Sequence, residues 1–229
     1  LTDGRPYRMS MYLMKSLRFP HFGKTAAVVW IVAMLIAPAD ARAAEPAEEA
    51  ERLVRDKVEA VLNVLQRDDL ALEAKEAEIT AIAESFLDFP LMAKLALGPQ
   101  SWPKLTPEER RRFSELFQEL LKSTYSKNLR RFSNESVEYG EPVASRNKYK
   151  MDTSVVANGE RTEIVYYLFS RGGSWRVYDM EIAGVSIVKS YRSQFQEYLA
   201  EHSVDDLFGL LREKIAESEE EKAASASPA

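Results

Sequence analysis

The pattern of apolar and polar residues changes midway along the chain. Up to Phe132, apolar residues recur every three or four positions, which is typical of amphipathic helices. From Ser136 to Ala183 they tend to alternate with polar residues, which is typical of half-buried strands. The helical period then returns. The pattern therefore predicts an α+β fold in which a run of strands lies between two groups of helices.

The helical segments have recognisable boundaries. The clearest begins at Thr106-Pro107-Glu108-Glu109, which combines a capping threonine, a first-turn proline and a glutamate three residues after the cap. About six to seven helices are expected in all. The clearest spans are about 46–67, 75–86, 89–97, 106–130, 186–201 and 203–216.

The alternating region predicts four strands joined by short turns. Asn158-Gly159 and Gly172-Gly173 are strong signals for tight hairpins, because glycine and asparagine tolerate positive φ. Short connections favour an antiparallel meander with one face packed on the helices. The predicted strands are Ser136–Ala144, Lys148–Ala157, Arg161–Ser170 and Trp175–Ala183.

Residues 1–43 have the three parts of a secretory signal. Basic residues precede an apolar run, Ala26 to Ala37, and Ala41-Arg42-Ala43 supplies the small residues of a cleavage site. An uncleaved anchor is the alternative, although the run is short for a membrane-spanning helix. We expect export to the periplasm, a single domain at 44–216, and a disordered acidic, Ala/Ser-rich tail at 217–229.

The composition narrows the possible chemistry. Without residues 1–43 the chain has 25 basic and 34 acidic residues, a net charge of −9, which argues against nucleic acid as the main partner. The absence of cysteine excludes cysteine nucleophiles and zinc–thiolate sites. His202 is the one histidine after residue 43, and no phosphate-binding loop is present. We expect no metal and no cofactor.

Two acidic residues could support an enzyme. Asp88 and Asp179 lie in the apolar settings FLDFP and VYDME. A buried carboxylate must be hydrogen-bonded or its pKa must change, which can serve catalysis or structure. A pocketed enzyme that uses these acids, and a protein-binding adaptor with a dry core, therefore remain alternatives at this point.

Three segments carry a family resemblance. FLDFPLMAKLALGPQSW (86–102) resembles the F-D-F…M-A…L-G…W block of the MlaC-like proteins, also called the toluene-tolerance family. TPEERRRFSELFQELLKSTYSKNL (106–129) resembles the next block, and YYLFSRGGSWRVYDMEIAGVSIVKSYRSQF (166–195) resembles the G-x-W-x-V-Y-D-V…G-V-S-L…N-Y-R-x-Q-F signature. The resemblance covers about Val54 to Leu211. Ala183 departs from it, since the family usually has Glu there.

The resemblance implies a non-enzymatic, soluble periplasmic carrier. Its implied fold has helices and a curved antiparallel sheet that enclose a deep apolar pocket for the acyl chains of a glycerophospholipid. The implied partners are an inner-membrane ABC transporter complex with a lipid-binding ring and an outer-membrane lipoprotein associated with a porin. This Mla pathway maintains the lipid asymmetry of the outer membrane. Some relatives are linked to hopanoids, so another lipid is an alternative cargo.

The candidate pocket wall combines the inward parity of the strands with the apolar faces of the helices. Arg130 and Arg192 are candidates for the head-group or mouth region. The expected wall residues are Met92, Leu97, Phe117, Leu121, Tyr125, Val155, Val165, Tyr167, Phe169, Trp175, Val177, Ile187, Tyr191 and Phe195.

Overall fold

The computed structural model describes residues 41–126, 136–145, 147–157 and 159–226. The predicted signal, apart from its last three residues, and Arg130 lie outside these ranges. The helices are α1 (Ala41–Leu65), α2 (Leu72–Phe86), α3 (Phe89–Leu97), a short 3₁₀ helix (Trp102–Lys104), α4 (Pro107–Ser126), α5 (Ile187–Glu201) and α6 (Val204–Ala226). The strands are β1 (Ser136–Tyr139), β2 (Val143–Ser145), β3 (Lys148–Ala157), β4 (Glu160–Arg171), β5 (Ser174–Ile182) and β6 (Val185–Ser186).

The strands form one antiparallel sheet in the order β1-β3-β4-β5-β6, and β2 also pairs with β3. The predicted α+β meander is confirmed, with two differences: a two-residue strand, β6, follows β5, and the start of the sheet is irregular. The expected first strand is divided into β1 and β2. Gly140 lies at the division, where its N–H donates to the carbonyl of Asp152 at 2.8 Å. A Cβ at Gly140 would lie 3.2 Å from that oxygen, so glycine allows the close approach.

One face of the sheet packs against the helices. Met151, Tyr166 and Leu168 are buried on this inner face. A β-bulge in β5 changes which residues point inward, because Tyr167 pairs with Asp179 while Leu168 pairs with Val177. In β5, the inward positions are odd-numbered up to Val177 and even-numbered from Met180 onward.

The expectation from sequence that the odd-numbered residues of β4 face inward is wrong. Val165, Tyr167 and Phe169 alternate with the buried Tyr166 and Leu168, so they lie on the outer face of the sheet. The hydroxyl of Tyr167 donates to Glu181 Oε2 at 3.0 Å on that face.

Aromatic side chains form the contact between α4, α5 and α6. The rings of Phe113 and Phe117 in α4 stack with centroids 6.1 Å apart, and Phe195 in α5 meets Phe113 edge-on at 5.6 Å. Phe208 in α6 lies 6.4 Å from Phe113. All four are buried, so this part of the core is closely packed.

The predicted disordered tail is wrong for residues 217–226, which continue α6. Ser218 is buried, and its hydroxyl donates to the carbonyl of Ser123 in α4 at 3.0 Å. One turn later, Lys222 Nζ pairs with Glu76 in α2. The acidic residues that suggested disorder point to solvent, whereas Ser218 and Lys222 contact neighbouring helices. Within the described ranges, none of the helices is both long enough and apolar enough to span a membrane.

The ion pair between α6 and α2 gives a stability prediction. The Glu76 side chain is only 7% exposed and that of Lys222 is 30% exposed, so Lys222→Met leaves a buried carboxylate without its partner. We expect the free energy of unfolding to fall by about 1–3 kcal/mol, less than for a fully buried pair. Urea denaturation measures this change in the free energy of unfolding.

Two further variants control this measurement. Adding Glu76→Gln to Lys222→Met removes the buried charge and should restore much of the loss. Lys214→Met removes an exposed pair with Glu217 on the same helix and should change stability little. Equal effects of Lys214→Met and Lys222→Met would contradict a structural role for the Glu76 pair.

Candidate functional site

An apolar cavity of about 270 Å³ lies between α1 and the inner face of the sheet. We call it the α1 cavity. Its helical wall is the stripe that the sequence predicts along α1, and its floor comes from four strands. Its lining residues are Lys57, Val58, Val61, Leu62, Leu65, Phe86, Val137, Val155, Ile164, Tyr166, Met180 and Ile182.

A second apolar cavity of about 160 Å³ lies beside it, among α2, α3 and α4. We call it the α2 cavity, and the two together the cleft. Met180 lines both cavities. The α2 cavity is lined by Ile79, Thr80, Ala83, Leu87, Phe89, Met92, Leu121, Lys122, Tyr125, Met180 and Ile187.

The cleft lies where the hydrophobic packing is divided. Most buried apolar residues form one continuous core, but Val64, Leu65 and Ile79 form a separate small cluster between α1 and α2. Natural cores rarely leave space unfilled, since each void forfeits dispersion contacts. The space between these two clusters is therefore a candidate binding site.

The interior of the cleft carries little charge. Lys57 and Lys122 are its charged lining residues. Lys122 Nζ pairs with Glu84 at 2.7 Å and with Glu119 at 3.0 Å, so its charge is balanced. Burial raises the pKa of Tyr166 to about 12, which keeps its hydroxyl neutral. Burial likewise raises the pKa of Tyr125. These properties suit an uncharged, apolar ligand segment.

A third cavity, of about 390 Å³, lies among α4, α5 and α6. It is larger than either part of the cleft, but half of its lining residues are polar or charged. These are Thr124, Gln194, Lys214, Glu217, Ser218 and Glu221. An alkyl chain there would displace water from groups that it cannot hydrogen-bond, so the cleft is the better apolar site.

Asp179 and Asp88, the two candidate catalytic acids, cap helices. Asp179 accepts from the hydroxyl of Ser186 at 2.6 Å and from the N–H of Val188 at 3.0 Å, at the start of α5. Asp88 accepts from the N–H of Leu91 at 3.0 Å, at the start of α3. Both carboxylates satisfy helix N-termini, as capping residues do. No group of three or more His, Asp or Glu residues in the described ranges is placed to hold a metal ion.

The wall residues predicted from sequence lie in the cleft, in the continuous core, around the third cavity and on the outer face of the sheet. Five line the cleft: Met92, Leu121, Tyr125, Val155 and Ile187. Leu97, Phe117 and Val177 are fully buried in the continuous core, and Trp175 packs edge-on against Tyr149 with centroids 4.6 Å apart. Tyr191 and Phe195 line the third cavity. Val165, Tyr167 and Phe169 lie on the outer face of the sheet.

Of the two arginine candidates, Arg192 does not line the cleft. Arg192 donates its Nε–H to the carbonyl of Leu95 at 2.7 Å, so it ties α5 to the end of α3. Arg130 lies outside the described residues. The contact of Arg192 is a helix C-terminal cap, in which a cation satisfies a free carbonyl.

Sequence reasoning missed most of the α1 wall and the inward half of β4 and β5. The α1 stripe was visible as Val58, Val61, Leu62 and Leu65, but nothing in the pattern assigned it to a pocket. Met180 and Ile182 required knowledge of the bulge, which has no clear sequence signal here.

Comparison with known proteins identifies the family. The family model described as "MlaC protein" matches residues 55–213. The chain belongs to the MlaC family. The match ends before the last turns of α6, so the contacts of Ser218 and Lys222 lie beyond it.

Two curated relatives match parts of the chain. The intermembrane phospholipid transport system binding protein MlaC of Haemophilus influenzae is 26% identical over 116 residues, or 48% of this chain and 54% of that protein. The toluene tolerance protein ttg2D of Pseudomonas putida is 29% identical over 104 residues, or 44% of this chain and 48% of that protein. The chain thus matches about half the length of these MlaC relatives.

A solved structure matches more of the fold. The phospholipid-binding protein of Ralstonia solanacearum, in complex with a phospholipid, superposes with a TM-score of 0.69 at 25% identity. The match covers 74% of this chain and 98% of that one. The α+β architecture and the MlaC resemblance predicted from sequence are both confirmed.

The capping role of Asp179 can be tested directly. Asp179→Asn weakens two short hydrogen bonds in a buried setting. We expect a loss of about 1–3 kcal/mol in the free energy of unfolding, measured in urea. Asp205→Asn, an exposed first-turn acid of α6, should cost only a few tenths of a kcal/mol. Unchanged stability of Asp179→Asn would contradict this role.

Proposed function

We propose that this protein is a carrier that binds the acyl chains of a glycerophospholipid in the cleft between α1, α2 and the sheet. The observation that supports this most is the continuous apolar lining of the cleft around Met180. The bound phospholipid in the Ralstonia solanacearum relative supports the same class of ligand. No catalytic step is part of the proposal, since Asp88 and Asp179 are occupied as helix caps.

The energetics explain why such a carrier is needed. Two C16-type chains carry roughly 28 CH₂ groups at about 0.8 kcal/mol each, so their gross transfer into water costs more than about 20 kcal/mol. A lipid therefore needs an apolar protein interior to leave a bilayer. Apolar contacts accept chains of different lengths because they are not directional.

The two cavities must join to hold a lipid. Neither reaches the roughly 300–1,000 Å³ of common ligand pockets. Met180 separates them, and methionine is unbranched with three rotatable bonds. A change in its rotamer, together with a small outward movement of α1, would open one continuous site. We infer that the described state is the closed form.

The transport role follows from the family. We propose that the protein is exported by the signal at residues 1–43 and carries lipid through the periplasm. Its donors and acceptors would be an inner-membrane ABC transporter complex with a lipid-binding ring and an outer-membrane lipoprotein–porin complex. That role would maintain outer-membrane lipid asymmetry. The Haemophilus influenzae relative, an intermembrane phospholipid transport system binding protein, supports a role in transport between membranes.

Analysis of co-purified lipid tests the cargo. The full chain is expressed in bacteria, purified from the exported fraction without detergent, extracted with organic solvent and analysed by mass spectrometry. We expect about one phospholipid per protein. Absence of lipid would contradict the carrier, and another lipid such as a hopanoid would correct the lipid class.

Neighbouring residues on β4 give a matched pair of variants. Ile164 faces the α1 cavity, whereas Val165 is the next residue and faces outward. Ile164→Gln places an amide against the acyl chains without a partner, so we expect lipid occupancy to fall at least about fivefold. Val165→Gln should retain the lipid occupancy of the wild type.

A second variant separates lost binding from lost folding. Ala83→Phe fills the α2 cavity with an apolar ring and should lower occupancy while the protein stays folded by circular dichroism. If Ile164→Gln and Val165→Gln retain the same lipid content, the cleft is not the binding site.

A further inference from the structure

Lys57 has an unusual position on α1. It is half-buried and, among the residues that the structure describes, it is the one charged residue lining the α1 cavity, where the other lining side chains are apolar except for the neutral Tyr166. It lies with Val137 and Val155, which pair directly across β1 and β3. Because β1 is an edge strand, Lys57 marks the side where the cavity meets the edge of the sheet.

Several other cations around the cleft, among the described residues, have partners. Arg55 pairs with Glu51 at 2.6 Å and lies over the Tyr139 ring at 4.2 Å. Arg161 pairs with Glu138 at 2.8 Å.

The same holds farther along the sheet and at the other cavity. Lys150 pairs with Asp152 at 3.0 Å, and Lys122 has two carboxylates. Lys75 donates to the carbonyl of Leu65 at 2.8 Å. In the part of the chain that the structure describes, Lys57 makes no ion pair and no side-chain hydrogen bond.

The chemistry of lysine suits this place. Its four-carbon stem can lie along an apolar wall while the ammonium stays in water. The ammonium has three donors and binds phosphate as a compact point charge. The phosphate of a lipid bound in the cleft would gain binding free energy from contact with an unpaired ammonium at the rim.

We propose that Lys57 binds the phosphate of the lipid and so makes the cleft selective for phospholipids over uncharged diacyl lipids. This rests on the proposed function, since it assumes that acyl chains occupy the cleft. It also sets the orientation of the lipid. The phosphate lies at the α1–β1 edge, and the chains run inward past Ile164 to Met180 and the α2 cavity.

A competition experiment tests this selectivity. Equimolar dioleoyl phosphatidic acid and dioleoylglycerol are offered to the full chain in one neutral detergent, and the bound ratio is measured by mass spectrometry after gel filtration. We expect the wild type to favour phosphatidic acid. Lys57→Met should lower that preference about three- to tenfold, the size of a partly exposed ion pair. Binding of dioleoylglycerol should stay the same.

Two variants separate a local contact from general charge. Lys57→Arg retains a cation and should keep the preference. Lys189→Met removes one positive charge from an exposed residue of α5 that lines neither cavity, and should also keep the preference for phosphatidic acid.

The outcomes are distinct. If Lys57→Met keeps the wild-type preference, or if Lys189→Met loses as much, Lys57 does not bind the phosphate, although the carrier function stands. If the wild type binds neither lipid, the carrier function itself fails and the role of Lys57 fails with it.

Discussion

The β-bulge at Tyr178-Asp179 sets the geometry on which the cleft depends. Strict alternation from the buried Val177 would turn Glu181 inward, and an unpaired carboxylate in an apolar cavity is costly. The bulge instead turns Met180 and Ile182 inward and leaves Glu181 on the outer face with Tyr167. Asp179 lies at this irregularity and caps the start of α5.

The contrast between the two ends of the molecule follows from this arrangement. The α4–α5–α6 end is filled by stacked and edge-on aromatic rings. The α1–α2 end has a small second cluster of Val64, Leu65 and Ile79, which meets the main core through the half-buried Ile82. A carrier needs both properties, because a rigid end preserves the fold while a loosely packed end can admit and release a ligand. Reversible transfer also requires that the net affinity relative to the bilayer be far smaller than the gross cost of exposing acyl chains to water.

Much of the fold was predictable because its local signals agree. The capping sequence at Thr106 is observed, with Glu109 accepting from both the N–H and the hydroxyl of Thr106 at 2.7 Å. The pairing of β3 with β4 reaches Ala157 and Glu160, and that of β4 with β5 reaches Arg171 and Ser174, as the two expected hairpins require. These features depend on residues close in sequence, which is why the pattern is sufficient.

The site was harder to predict for physical reasons. Residues 164–169 of β4 are apolar at both parities, so no alternation shows which side faces the helices, and a one-residue error exchanges the two faces. The acidic end of α6 has the composition of a disordered segment, yet contacts through Ser218 and Lys222 keep it helical. A cavity depends on how far elements stand apart, which no local pattern records.

The most direct test is photocrosslinking with a phospholipid that carries a diazirine near the end of one acyl chain. After irradiation of the loaded protein, the modified peptides are mapped by mass spectrometry. If acyl chains occupy the cleft, labels will fall on residues 58–65 of α1, on residues 79–92 and around Met180. Labelling concentrated on Leu210, Leu211 and Tyr198, which line the third cavity, would contradict that placement.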